Sequence, residues 1–178
     1  MKGLAVAVVA FACLGQADAA TPPTSTISAE VGFLLNSLIA DSISRPDVNA
    51  VDTYAAAFHW VKNPPEMNAL LNSKVGYHGR INGHKVVLGG DGTNDIFAVA
   101  ISQGFEATEV LATIRQAFTV RFADREDSAG QRNDTYYLLD HGKSVGILML
   151  MYGVADAIQG SGTAAFMSMK KAHEAAGR

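Results

Sequence analysis

Between positions 89 and 95 the chain reads Gly89-Gly90-Asp91-Gly92-Thr93-Asn94-Asp95, with glycines and carboxylates interleaved. Glycines let backbone N–H groups come close to an anion, and neighbouring carboxylates can hold a metal or take a proton. Asp91, Thr93 and Asp95 also place oxygens at i, i+2 and i+4, the alternation found in calcium loops. The usual glycine is displaced, however, and Ser102 stands at the twelfth position, where a bidentate Glu belongs, so no metal site is expected. A plainer reading makes the segment a link between two strands, with Gly supplying positive φ and Asp bonding its own backbone.

The string Gly89-Gly90-Asp91-Gly92-Thr93, entered from Lys85-Val86-Val87-Leu88 and left through Asn94-Asp95-Ile96-Phe97, resembles the signature of the diacylglycerol-kinase and NAD-kinase superfamily. That resemblance implies that Gly89, Gly90 and Gly92 cradle a phosphate, with Asp91 as the functional acid and Thr93 beside it. Gly-Asp-Gly-Thr-Asn-Asp also resembles the hinge motif of P-type ATPases, where the two Asp residues help to hold magnesium. Each likeness is confined to these few residues.

A second group is polar and basic. In a hairpin register that sets Ile81 against His84, His78, Arg80 and Lys85 share one sheet face with Val87, while Tyr77, Ile81, Val86 and Leu88 share the other. The row His78, Arg80 and Lys85 could bind an anion or an acidic partner, and the same register puts His78 and His84 on opposite faces, against a zinc site. His59 lies beside an apolar helix stripe, and His173 shares a solvated helix face with Lys170, Lys171 and Glu174. His141 follows Asp140 at a hairpin tip, where turn formation alone explains the residues. Gly160-Ser161-Gly162 lacks the spacing of a nucleophile elbow. Asn133-Asp134-Thr135 fits a glycosylation sequon.

The elements that must position these groups follow from periodicity. Val31, Leu34, Leu35, Leu38 and Ile39 form a helical stripe after Ser28 as a possible cap. Val51, Tyr54, Ala55, Phe58 and Val61 form another after Asp47, ending before Pro64-Pro65. Asn63 looks like the cap of a short helix through Leu71. Asn82-Gly83 between alternating runs predicts a hairpin of strands 76–81 and 84–89. Residues 96–101 suit a buried strand, and Ala107, Leu111, Ile114 and Phe118 mark a helix.

Further on, the charged stretch Arg121 to Asp134 reads as a loop. Residues 136–139 and 145–152 read as strands joined through Asp140-His141-Gly142-Lys143. Residues 164–176 have high helix propensity, with Gly177 as a stop. The expected fold is therefore α+β: an antiparallel sheet of about five strands, with N-terminal helices, a middle helix and a C-terminal helix mainly on one face. Profilin-like and PAS-like sheets have a similar element order, a likeness of fold that carries no function.

Composition bounds the partners. A chain of 178 residues with net charge -3 and no long basic run is unsuited to nucleic acid, since phosphate-backbone binding needs clustered Lys and Arg. Lys2, the apolar stretch Leu4 to Leu14 and the small residues Ala17 and Ala19 have the layout of a secretory signal. Cleavage after Ala19 would divide the chain into a signal (1–19), a flexible lead-in (20–27) and one domain (28–178). The apolar stretch is too short to span a membrane. The single cysteine, Cys13, falls within the signal, so the mature chain would be free of thiol chemistry. Alternatively Cys13 is the acylated residue of a lipoprotein.

The expectation is thus a secreted or periplasmic domain that needs no cofactor and binds a protein or small molecule of the cell envelope. Its candidate binding residues are His78, Arg80, Lys85, Asp91, Thr93 and Asp95. The alternative is a small hydrolase-like envelope enzyme whose acids and histidines converge from distant segments. Phosphate or nucleotide binding through residues 89–93 is the third reading.

Overall fold

The computed structural model describes residues 25–70, 73–155 and 160–176. The expected signal, its cleavage site, Cys13 and the Gly177 stop lie outside the described residues. Helix α1 (Ile27–Ser44) begins two residues earlier than expected: Thr26 rather than Ser28 is the cap, its hydroxyl accepting the Ala29 N–H at 3.2 Å, and Glu30 in the first turn suits the helix dipole. Ser28 is buried within the helix, where its hydroxyl donates to Gly104 O and accepts from Glu106 N, both at 2.7 Å. All five residues of the predicted α1 stripe are buried.

Helix α2 (Ala50–Ala57) is capped by Asn49 rather than Asp47. Its stripe stops short of the prediction, because the chain turns at His59, where φ is 53°, and leaves Phe58 57% and Val61 59% exposed. Val61 instead enters β1 (Val61–Lys62), an edge strand. Helix α3 (Pro65–Leu70) follows. Asn63 is buried, and its Oδ1 is engaged with His78 Nδ1 at 2.8 Å across to the sheet.

Among the described residues the sheet has eight strands, three more than predicted, all paired antiparallel in the spatial order β1, β2 (Val75–Ile81), β3 (His84–Gly90), β4 (Ile96–Ile101), β8 (Gly162–Ser168), β7 (Lys143–Gly153), β6 (Gln131–Asp140) and β5 (Thr119–Ser128). The Asn82-Gly83 hairpin joins β2 (Val75–Ile81) to β3 (His84–Gly90) with Ile81 opposite His84, as the turn chemistry requires. Strand β4 (Ile96–Ile101) leads to helix α4 (Ala107–Ile114), whose predicted apolar face is buried together with Phe118. The tip at His141-Gly142 has positive φ at both residues and connects β6 (Gln131–Asp140) to β7 (Lys143–Gly153).

Two segments differ from the sequence reading. Residues 121–134 are not a loop but most of a hairpin between β5 (Thr119–Ser128) and β6, turning at Ala129-Gly130. Its charges fit a strand because β5 is the sheet edge and they pair across the ladder, Arg125 with Asp134 and Arg132 with Asp127. Residues 164–168 are not helical either. They belong to β8 (Gly162–Ser168), and only Met169–Ala175 forms the closing helix α5. Helix propensity is a weak prior, and here the burial of Ala164, Ala165 and Phe166 between β4 and β7 outweighs it.

One sheet face carries the core. Val86, Leu88, Phe97, Val99, Leu148, Leu150 and Phe166 pack there with α1, α2 and α4, and Phe97 stacks on Phe166 with ring centroids 5.0 Å apart. The chain after β1 wraps around the β2 edge instead. Asn63, Asn68 and Ser73 lie over Gly76 and Gly89 on the opposite face, so close that a Cβ on Gly76 would sit 2.3 Å from Asn68 Oδ1. Among the described residues, no helix is long and apolar enough to cross a membrane.

Candidate functional site

The glycine-rich string is split by the fold. Gly89 and Gly90 are strand residues of β3, and a Cβ on Gly89 would meet Ser73 Oγ at 2.4 Å. The remainder forms a tight link between antiparallel β3 and β4. Asp91 Oδ1 accepts from Thr93 N at 2.9 Å and from Thr93 Oγ1 at 2.6 Å, while Gly92 takes φ 83°. These are the turn functions that the plainer reading assigns to them.

Beyond the turn, Asn94 acts as a clamp. Its Oδ1 accepts the Ala50 N–H at the start of α2 at 2.8 Å, and its Nδ2 donates to Val48 O at 2.5 Å, Pro46 O at 3.1 Å and Arg45 O at 3.3 Å. Asp95 accepts from Ser168 Oγ at 2.6 Å and faces Lys170 Nζ at 3.4 Å, tying the loop to the start of α5. The polar side chains of this loop are therefore engaged within the fold. A cleft of about 490 Å³ runs beside it, with Ile43, Asp47, Asn49, Thr93, Asp95 and Lys170 among its walls.

The basic row is held as the register predicts. Arg80 stands directly opposite Lys85, and His78 opposite Val87 on the same face. Arg80 and Lys85 lie at the hairpin end of the sheet, whereas Asp91, Thr93 and Asp95 lie at its other end. The six candidate residues thus form two groups rather than one site. The histidines do not gather: His84 is on the opposite strand face from His78, and the His141 side chain is 95% exposed with Asp140 at 3.6 Å. Among the described residues, no three His, Cys, Asp or Glu side chains are placed to hold a metal ion.

Facing away from α1, α2 and α4 is a surface not named at the sequence level. The register sets Gly76, Gly89, Ala98, Ala165, Met149, Thr135 and Asp124 in one lateral row, covered at its Gly76–Gly89 end by Asn63, Asn68 and Ser73 and open from Ala98 onward. Flanking rows contribute Ile96, Met167 and Ile147 on one side and Val87, Ala100, Thr163 and Met151 on the other. Most of these side chains are partly exposed, and Met151 is 39% exposed. Small residues at the centre make a shallow floor, with methionines along β7 and β8. The alternation in β4 and β7 is visible in the sequence, but the surface appears only once β8 is placed between them.

A polar network was also hidden by the loop reading of 121–134. Buried Asp134 receives Arg125 Nε at 2.5 Å, Arg125 Nη2 at 3.0 Å and Tyr152 OH at 2.9 Å. Burial alone would raise the Asp134 carboxyl, but the hydrogen bonds from Arg125 and Tyr152 outweigh it and hold the group below the usual carboxylate range. Burial, and then donation to Asp134, pushes the Tyr152 phenol up.

A depressed carboxyl contributes stability that is present above its unfolded value of about 4 and is lost as pH falls through the lower folded value. In Arg125→Ala the largest offset to burial is removed and only weaker ones such as the Tyr152 hydrogen bond remain, so acid unfolding is expected to begin at higher pH than in the parent. Urea midpoints followed downward from about pH 5 measure this, and superimposable profiles would remove Arg125 as the cause.

Comparison with known protein families, curated proteins and solved structures finds no match to this chain.

Proposed function

We propose that the chain is an exported cell-envelope binding domain that takes an apolar surface of a partner protein on its open sheet face. The observation that carries this reading is the partly exposed strip of Ile96, Ala98, Ile147, Met149, Met151 and Met167 on the face turned away from α1, α2 and α4. Contiguous exposed apolar surface marks interaction sites, and flexible, polarisable Met side chains suit a contact that must adapt to its partner. Export rests on the N-terminal pattern of Lys2, an apolar stretch and small residues before Ala20.

The test is a photo-crosslinking amino acid at position 149, in the chain expressed in its native envelope, with a matching probe at Val48 on the helical side. A discrete adduct is expected from position 149 alone, and Met151→Lys should abolish it while circular dichroism shows an intact fold. No adduct, or the same adducts from position 48, would remove the open face as the binding surface.

A further inference from the structure

At the hairpin end of the sheet, Arg80, Gly83, His84, Lys85, Ser102 and Gln103 surround a hollow of about 240 Å³. We propose that this hollow is a binding site for a phosphate dianion, either free or as a phosphomonoester headgroup. It is independent of the open-face reading, since it lies at the Asn82-Gly83 turn and uses charged and polar groups.

Three observations converge on this assignment. First, Arg80 and Lys85 are direct cross-strand partners, a placement in which like charges repel and weaken the hairpin. Neither forms an ion pair among the described residues, whereas Arg45, Arg125 and Arg132 each have an Asp partner. A bound dianion would balance both charges.

Second, the lining supplies donors: the Arg80 guanidinium, the Lys85 ammonium, the Ser102 hydroxyl and the Gln103 carboxamide, with no carboxylate residue among the lining. Glu30 reaches the same turn from α1, but its Oε1 already accepts from Ser25 and from Asn82 Nδ2. Third, the guanidinium is anchored. Arg80 Nη1 donates to Gly83 O at 2.5 Å, which fixes the plane over the turn and leaves further N–H groups for a ligand. Fixed guanidinium forks suit phosphate oxygens, and Lys adds a mobile point charge.

The experiment titrates the isotopically labelled chain with inorganic phosphate at constant ionic strength, reading amide shifts by NMR. Saturable shifts are expected at Gly83, Ser102 and Gln103. Arg80→Gln and Lys85→Gln should each weaken binding by about tenfold or more, with Lys62→Gln as a control that leaves it unchanged. The exposed Lys85 position keeps the test valid even if Arg80→Gln disturbs the turn.

A second arm compares sedimentation with phosphatidylcholine vesicles and with the same vesicles containing phosphatidic acid. Shifts accompanied by Lys85-dependent sedimentation on the phosphatidic acid vesicles identify a headgroup, and shifts without it identify a soluble phosphate. Absent or unsaturable shifts, or an equal loss in Lys62→Gln, would overturn the site.

Discussion

Phe166→Ala is expected to cost about 3–5 kcal/mol of folding stability, the range for deleting a buried aromatic ring. Phe166 is 1% exposed and stacks on Phe97 in the middle of the sheet. Its direct partner on β7 is Leu148, and the diagonal neighbour on the same face is Gly146, which packs against the Phe166 ring and has no side chain to move into the space it would leave. Cavities that cannot collapse are the costly ones. Urea unfolding should show a lower midpoint with an unchanged slope. A loss under about 1 kcal/mol would mean that β8 is not the packed centre of the sheet.

Asn94→Ala should be the next most damaging change, at about 2–3 kcal/mol, because one substitution removes a hydrogen bond from each of four backbone groups around the α1–α2 connection, of which Arg45 O keeps the Val48 N–H as a partner. Asp91→Ala removes only two exposed turn bonds, both from Thr93, and should cost no more than about 1 kcal/mol. The contrast separates two views of the glycine-rich string. If its side chains serve the fold, stability ranks Asn94 far above Asp91. If Asp91→Ala instead leaves stability unchanged and abolishes specific nucleotide binding, the phosphate reading of this loop is restored.

Much of the fold is legible where periodicity and turn chemistry act together. The α1 stripe, the Asn82-Gly83 hairpin and the His141-Gly142 tip follow from residues that have few alternatives: a helical run of apolar side chains, and turns that need positive φ. Reading fails where tertiary context decides. Arg121 to Asp134 look like a loop because their charges obscure strand alternation, and the ion pairs that reconcile them link residues on separate strands.

Ala164 to Ser168 look helical because alanine favours helices locally, while their neighbours on β4 and β7 are distant in sequence. The site was legible to the same degree. The basic pair Arg80 and Lys85 followed from the hairpin register, whereas the open face needed the position of β8, and the clamp role of Asn94 needed the α1–α2 connection brought alongside.

The position of β8 also sets an order for folding. Strands β2 to β4 can form as consecutive hairpins, and β5 to β7 as a second meander, from contacts that are local in the chain. Among the described residues, the ladders of the two halves join only through β8, which must insert between β4 and β7. Until β8 is in place, the inner edges of both halves lack their ladder partner, and an unpaired edge is a template for aggregation. A holdase that covers β4 and β7 during that interval would raise the yield of native protein without touching the finished fold.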